Sequence, residues 1–423
     1  MTFSQRDKKN IWHPYTQHKN AFENVAIVKA KGTYLFDEKG KMYIDAVSSW
    51  WTNIHGHSHP YIAKKIFEQA KKLEHVIFAG FTHEPAITLS ERLLKLLPTN
   101  QKKIFYSDNG STAIEVALKM SFQFWYNKEE KRKKVIAFKN AYHGDTFGAM
   151  SVSGRSAFTN AFTNFLFDVI YIDAPVKGKE KESINQLSSV IKKNKKNIAC
   201  FIFEPLVQGT AGMRIHSSVA LSEMISTCRK QNIICIADEV MTGFGRTGKL
   251  FASDYLKKKP DIFCLSKGIS GGAMPLGVTS CTAEIYSTFL SDDKMKTFFH
   301  GHSYTANPLA CSAANASLEL FEKEKTIFKI EQISKGHLKF SKMLRTLKNI
   351  KEIRCLGTIL AIEIKTKQNT SYFNSIRDEA YSFFLEKGIL IRPLGNVIYI
   401  MPPYCISNKD LNYIYASIIQ FLK

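Results

Sequence analysis

No stretch of the chain approaches the roughly 18 uninterrupted apolar residues that a membrane-spanning helix requires. Met1 to Asn10 are polar and charged, without the apolar core of a secretion signal. Neither membrane insertion nor export is expected. The eight cysteines (Cys200, Cys228, Cys235, Cys264, Cys281, Cys311, Cys355 and Cys405) include no Cys-x-x-Cys pair and no Cys/His cluster at metal-ligand spacing. A disulfide framework and a structural metal site are therefore not expected. Several cysteines sit inside apolar runs, as reduced core residues of a cytoplasmic protein do. Internal repeats and low-complexity tracts are also missing.

Acidic residues are scarce beside basic ones, 37 against 59, for a formal charge of +22. A surplus of that size raises two partners, nucleic acid and an anionic membrane surface. The lysines, however, fall in short groups at residues 8–9, 131–134, 192–196 and 257–259, without interleaved aromatics or a recognisable nucleic-acid motif. They read as solvated surface, and no nucleic-acid partner is expected. Arginine is the scarcer base, so Arg246 and Arg392 stand out within ordered motifs. With 423 residues and 44% hydrophobic content, the chain has ample material for a large core and more than one domain.

What is present is organised around residues 233–268. Ile233-Ile234-Cys235-Ile236-Ala237 is a short apolar, β-branched run of the kind covered on both faces in an α/β protein, and it ends in Asp238-Glu239. Open α/β sheets bind ligands at the carboxyl ends of their strands, where a carboxylate is poorly solvated and needs a positive partner. A second run, Asp261-Ile262-Phe263-Cys264-Leu265, delivers Ser266-Lys267-Gly268 and then small residues to the same rim. Desolvated there, a lysine loses its proton more readily and becomes an amine nucleophile toward a carbonyl, forming a Schiff base.

The order Asp238-Glu239-Val240, Gly243-Phe244-Gly245-Arg246-Thr247-Gly248 and Ser266-Lys267-Gly268 resembles the class III branch of the fold-type I pyridoxal phosphate aminotransferases. Trp12-His13-Pro14-Tyr15-Thr16, Ser49-Trp50-Trp51 and His55-Gly56-His57 are similar to the narrower 7,8-diaminopelargonate synthase family, the aminotransferases of biotin synthesis. The resemblance covers nearly the whole chain. It implies pyridoxal 5'-phosphate bound to Lys267, with Asp238 keeping the pyridine nitrogen protonated so that the ring is an electron sink. It also implies a homodimer, and an α/β fold: a large domain whose mostly parallel, seven-stranded-type sheet is sandwiched by helices, plus a small α+β domain. Residues 1–55 are expected to pack with the small domain and the site, 56–305 to form the large domain, and 306–423 the small one.

The rest of the chain is consistent with that frame. Ile11 to Gln17 is an aromatic cluster expected to dock, and 34–45 reads as a hairpin. A helix is expected from Pro60 and another over 85–97. The strand at 103–106 leads through Ser107-Asp108-Asn109-Gly110-Ser111-Thr112 into a helix over 113–126, a turn whose free N–H groups and hydroxyls suit a phosphate. On its own Ser111 reads first as a plain helix cap; the resemblance instead assigns Gly110, Ser111 and Thr112 to the cofactor phosphate. Strands follow at 135–138 and 200–203, the latter ending in Glu204, with a surface helix between them. A strand at 359–364, a helix at 374–387 and a hairpin over Gly395-Asn396 complete the reading.

By the same resemblance, Tyr142 stacks on the pyridine ring and borders the substrate, and Tyr15, Trp50 and Trp51 line the substrate chain. On residue chemistry alone the paired tryptophans serve equally as core. Arg392, which alone reads also as a partner for a structural carboxylate, becomes the clamp for the substrate carboxylate, a job suited to its guanidinium fork. Ser303 and Gly301, in a loop implied to cross to the neighbouring subunit, would meet that subunit's cofactor phosphate and substrate. The implied reaction is amino transfer to 7-keto-8-aminopelargonate, with Lys267 as proton shuttle and S-adenosylmethionine as donor. The alternatives are lysine as donor, a class III aminotransferase of diamines or ω-amino acids, and a basic nucleic-acid-binding protein.

Overall fold

The structure is a computed structural model that describes residues 1–367, 370 and 372–423. Helix α1 (Phe3–Asn10) is capped by Thr2 in a reciprocal box with Gln5. Strands β1 (Ile27–Lys31), β2 (Tyr34–Asp37) and β3 (Met42–Asp45) form an antiparallel meander, whose second turn is the expected hairpin. A kinked turn, α2 (Ser48–Trp51), precedes α3 (Pro60–Ala70) and α4 (Glu84–Leu96). Both longer helices carry proline in the first turn, and the rings of His59 and His83 accept their first free amides. Of the N-terminal aromatic cluster, Tyr15 turns toward the protein while Trp12 stays 88% exposed.

The central region runs β4 (Gln101–Ser107), α5 (Gly110–Asn127), β5 (Lys134–Phe138), α6 (Phe147–Val152), β6 (Val169–Ile172), α7 (Glu180–Asn194) and β7 (Ile198–Phe203). A ribbon of β8 (Val207–Gln208) and β9 (Arg214–Ile215) follows, then α8 (Ser218–Arg229), β10 (Ile234–Asp238), β11 (Ile262–Leu265), β12 (Gly277–Thr282) and α9 (Ala283–Ser287). Seven of these strands form one sheet in the order β4-β12-β11-β10-β7-β5-β6. Only β12 opposes its neighbours. Strands β7, β10 and β11 are buried at every position, the outcome of near-continuous Ile, Phe, Ala and Cys runs covered on both faces. Since β4, β5, β7, β10 and β11 point the same way, the residues that follow them open on one edge. That topology brings Gly110, Tyr142, Glu204, Asp238 and Lys267 together from across 158 positions of sequence numbering, 110 to 267.

Beyond the sheet come α10 (Pro308–Lys323), α11 (Thr326–Leu344), β13 (Ile350–Leu356), β14 (Ile359–Ile364), α12 (Ile376–Glu386), β15 (Ile389–Leu390), β16 (Val397–Ile400) and α13 (Asn408–Leu422). Helix α10 packs on α3, α4 and the turn at Lys267, whereas α11 packs on β13 and β14. The expected hairpin over Gly395-Asn396 is corrected. Its turn forms, with Leu394 bridging Val397, but its arms diverge. β15 pairs in parallel with β3, and β16 pairs antiparallel with β14. Pro393 has no N–H to continue a ladder, while the Asn396 amide donates to Ile364 O at 2.7 Å and ties the turn to β14. The N-terminal meander thus takes its fourth strand from the far end of the chain. All eight cysteines are free, six of them buried, and among the described residues no helix is long and apolar enough to cross a membrane.

Candidate active site

Lys267 follows β11 and lines a cavity of about 620 Å³ together with Asp238, Glu204, His143 and Tyr142. Its backbone is left-handed, φ 48°, a conformation that costs a residue with a side chain on the order of 1–3 kcal/mol and persists only where packing enforces it. Burial pushes its ammonium down to about 8, against the opposing pull of Asp238 and Glu204. The neutral, nucleophilic amine is thereby far more populated near neutral pH than in an exposed lysine. The Nζ lies 4.7 Å from the centre of the Trp51 ring.

Asp238 closes the floor. Its Oδ2 lies 2.7 Å from His143 Nδ1 and its Oδ1 accepts the Val240 N–H at 3.0 Å. The far ring nitrogen of His143, Nε2, is buried and without a partner among the described residues. Glu204 accepts the amides of Tyr142 (3.1 Å) and Gly209 (2.9 Å) on separate oxygens. Burial, aided by the charge of Asp238 and opposed by His143, pushes its carboxyl up to about 7. Among the described residues no group of three or more His, Cys, Asp or Glu is arranged to hold a metal.

At the other end of the cavity stands the N-terminus of α5, lined by Gly110 and Ser111. Helix geometry leaves the first amides without intrahelical partners. The Asn109 side chain takes that of Thr112 (2.9 Å), and the Thr112 hydroxyl receives the Asn109 amide in return (3.1 Å). Thr112 is the capping partner of Asn109 and is not among the residues that line the cavity, one step along α5 from Gly110 and Ser111. The amides of Gly110 and Ser111 remain for an anion. A Cβ on Gly110 would stand 2.7 Å from Val240 Cγ1, and one on Gly144 would stand 2.2 Å from Ser111 Oγ. Only glycine lets these walls approach so closely.

A second chamber, about 320 Å³, shares Lys267, Trp51 and Tyr142 with the first and adds Tyr15, Trp50, Phe158, Tyr372, Tyr399 and Arg392. The Arg392 guanidinium lies over the Trp50 ring, 4.7 Å from its centre, and makes no ion pair with a carboxylate among the described residues. Trp51 is buried, its Nε1 donating to Tyr399 Oη at 2.9 Å. Tyr15 and Tyr142 both donate to Asp145 Oδ2, their hydroxyls 3.2 Å apart, and Tyr15 meets Trp50 edge to face. Burial and Asp145 together hold the Tyr15 phenol up at about 12.

The structure brings together nine expected residues: Lys267, Asp238, Gly110, Ser111, Tyr142, Tyr15, Trp50, Trp51 and Arg392. Gly301 and Ser303 are not among them. Both are exposed, in a loop whose start is held by Lys119 Nζ donating to Phe299 O, and neither lines the two chambers. Sequence reasoning gave no role to His143, Phe158, Tyr372 or Tyr399. His143 is the chain neighbour of Tyr142, and Tyr399 lies on β16 seven positions after Arg392; Phe158 and Tyr372 lie in polar loops without a signal.

These residues fit pyridoxal phosphate. A desolvated amine meets the needs of its aldehyde, a buried carboxylate those of a protonated ring nitrogen, and free first-turn amides those of its phosphate. The class-III aminotransferase family model matches residues 15–422. The adenosylmethionine-8-amino-7-oxononanoate aminotransferase of Synechococcus elongatus is 43% identical over 421 residues, 98% of each chain. That of Helicobacter pylori is 40% identical, over 98% of this chain and 96% of its own. The crystal structure of the Methanocaldococcus jannaschii enzyme of that name superposes with a TM-score of 0.95 at 39% identity, covering 99% of this chain and 98% of the other. An amine transaminase from an uncultivated Pseudomonas species, solved with pyridoxal phosphate bound, gives 0.91 at 27% identity over 97% of both chains. The fold, the two-chamber cavity and these relatives agree: the chain belongs to the class-III aminotransferases, enzymes that transfer amino groups with pyridoxal phosphate.

Proposed function

We propose that the chain transfers an amino group to 7-keto-8-aminopelargonate, forming 7,8-diaminopelargonate in biotin biosynthesis, with S-adenosylmethionine as donor. The observation that carries this reading is Arg392: an arginine without a carboxylate partner, stacked on Trp50 in an aromatic chamber walled at one side by Lys267. A flexible alkyl chain ending in a carboxylate matches that chamber, with the guanidinium fork on the carboxylate and Tyr15, Trp50 and Trp51 against the methylenes. The names of the relatives support it, since they specify both 8-amino-7-oxononanoate and adenosylmethionine.

When bound, pyridoxal phosphate supplies the electron sink for the carbanionic charge. The protein supplies everything else. Gly110 and Ser111, at the start of α5, would hold the phosphate, and Tyr142 would hold the ring. Asp238, oriented by His143, would keep the ring nitrogen protonated. Lys267 Nζ withdraws the proton from the amine-bearing carbon of the donor and later returns one to the acceptor carbon; an amine titrating at about 8 suits both directions. Burial of Lys267 by Trp51 excludes water from that transfer. The enzyme works as a cytoplasmic homodimer in which Gly301 and Ser303 complete the neighbouring subunit's site. Their exposure on one chain, away from its own chambers, supports that placement.

The test is amino transfer to 7-keto-8-aminopelargonate with a panel of donors. Product with S-adenosylmethionine is expected. Product with lysine alone overturns the donor and keeps the acceptor, and turnover of diamines or ω-amino acids without the keto acid overturns both.

A further inference from the structure

Both tryptophans of the substrate chamber ride on a turn that the backbone resists. Ser48, Ser49 and Trp51 are left-handed, with φ of 53°, 59° and 68°, and none is glycine. Two side chains stabilise this path: the Ser48 hydroxyl, which donates to Met401 O at 2.8 Å, and Asp45, fully buried at the end of β3, which takes two amides of the turn. Its Oδ1 accepts the Val47 amide at 3.0 Å, and its Oδ2 accepts the Ser49 amide at 2.7 Å. His57 Nε2 lies 2.8 Å from the same Oδ2. Asn53 Nδ2 donates to His57 Nδ1 at 2.8 Å, which leaves Nε2 to carry the proton that Asp45 receives. The backbone of His57 is bonded in both directions to Gly32, so the histidine is fixed to the N-terminal meander. One carboxylate thus spans the turn, and one imidazole braces it from behind.

We infer that Asp45, braced by His57, is a positioning residue for acceptor recognition: it holds the Ser48–Trp51 turn in the conformation that sets Trp50 beneath Arg392. The effect falls on Trp50 more than on Trp51. Trp51 has anchors of its own, its indole on Tyr399 and its carbonyl on the guanidinium of Arg246 (3.2 Å). Trp50 is 41% exposed, and among the described residues its aromatic and cationic neighbours are Tyr15 and Arg392. Its direction therefore depends on the turn, and the guanidinium depends on its face. The inference rests on the acceptor proposed above.

The experiment compares holoenzyme carrying Asp45→Asn, His57→Leu or His57→Gln with wild type. Steady-state kinetics are measured with 7-keto-8-aminopelargonate as the varied substrate, and near-ultraviolet circular dichroism is recorded in the tryptophan region. Displacement of a positioned group by about an ångström is felt strongly, so Asp45→Asn and His57→Leu are expected to raise the acceptor KM about tenfold or more with kcat changed less than about threefold. Their tryptophan dichroism should change with the far-ultraviolet spectrum intact, and His57→Gln, which retains an N–H donor, should stay close to wild type. A lowered Tm with unchanged acceptor KM and unchanged tryptophan dichroism overturns the inference, as does an equal fall in kcat at constant KM. If Asp45→Asn does not fold, the His57 pair decides by the same readouts. If wild type itself does not use this acceptor, the proposed reaction fails, and the dichroism of the variants still decides whether the turn is held in this way.

Discussion

Replacing Arg392 by alanine isolates the contact that distinguishes a carboxylate-bearing acceptor from a plain ketone. The guanidinium meets no carboxylate of its own among the described residues, so the full charge-assisted, two-pronged bond is available to the substrate. Hydrogen bonds to a charged group contribute about 1.5–3 kcal/mol, which corresponds to an increase in acceptor KM of roughly 10- to 150-fold. Arg392 also covers one face of Trp50, a contact worth about 0.5–1 kcal/mol at a partly exposed site, so a small fall in Tm accompanies the change. Arg392→Lys keeps the charge and loses the fork, and its KM should fall between those of wild type and Arg392→Ala. The assay pairs 7-keto-8-aminopelargonate with an analogue in which the carboxylate is replaced by methyl. Wild type should prefer the acid strongly, and Arg392→Ala should treat the two almost alike. A variant that retains the preference refutes the reasoning, because another group then reads the carboxylate.

Three further outcomes follow from the site. Lys267→Ala should lower turnover by roughly 100- to 10,000-fold or more, the usual contribution of a positioned general base, and borohydride reduction followed by mass spectrometry should find no cofactor attached to the folded chain; full turnover would refute the role. Glu204, held at about 7 rather than its ordinary 4.5, keeps a proton in the folded state that the unfolded chain has released between those values. Its contribution to stability therefore falls as pH rises from about 4.5 to about 7, by up to about 3 kcal/mol, and the Tm difference between wild type and Glu204→Gln measured across that range should track this fall; a flat difference would show that Glu204 titrates normally. Subunit exchange between Lys267→Ala and Ser303→Ala chains should create mixed dimers with one site carrying both lesions and one carrying neither, so activity should rise on mixing; no recovery would place Ser303 outside the neighbour's site.

Asp238 and Lys267 were legible because each is a strand-end residue in a parallel sheet, where a local apolar run predicts both the strand and the edge it reaches. The fold class follows from the same alternation of runs. The turn at Gly395-Asn396 was legible and its strand partners were not: turn chemistry is local, whereas β15 and β16 are captured by β3 and β14, segments with no sequence proximity to advertise the pairing. Thr112 has the right hydroxyl for an anion, yet its register one step further along α5 commits it to Asn109. Phe158 and Tyr372 enter the chamber from polar loops with no periodicity to read. The Tyr15 contact with Asp145 joins residues 130 positions apart, and no local pattern encodes that distance.

The pairing of β15 with β3 also sets an order on how the enzyme comes into being. Residues 101 to 282 carry all seven strands of the sheet that supplies the floor and the phosphate end. Trp50 is made earlier still, yet its chamber has no far wall until Arg392 and Tyr399 emerge, Arg392 standing 125 positions after Lys267. Loop closure over so long a span is slow, and domains generally fold as they are synthesised. A growing chain therefore carries the floor of the site well before the wall that meets the substrate. A chain ending before β15 is expected to lose Arg392 and Tyr399 together, and with them the strand that closes the N-terminal meander.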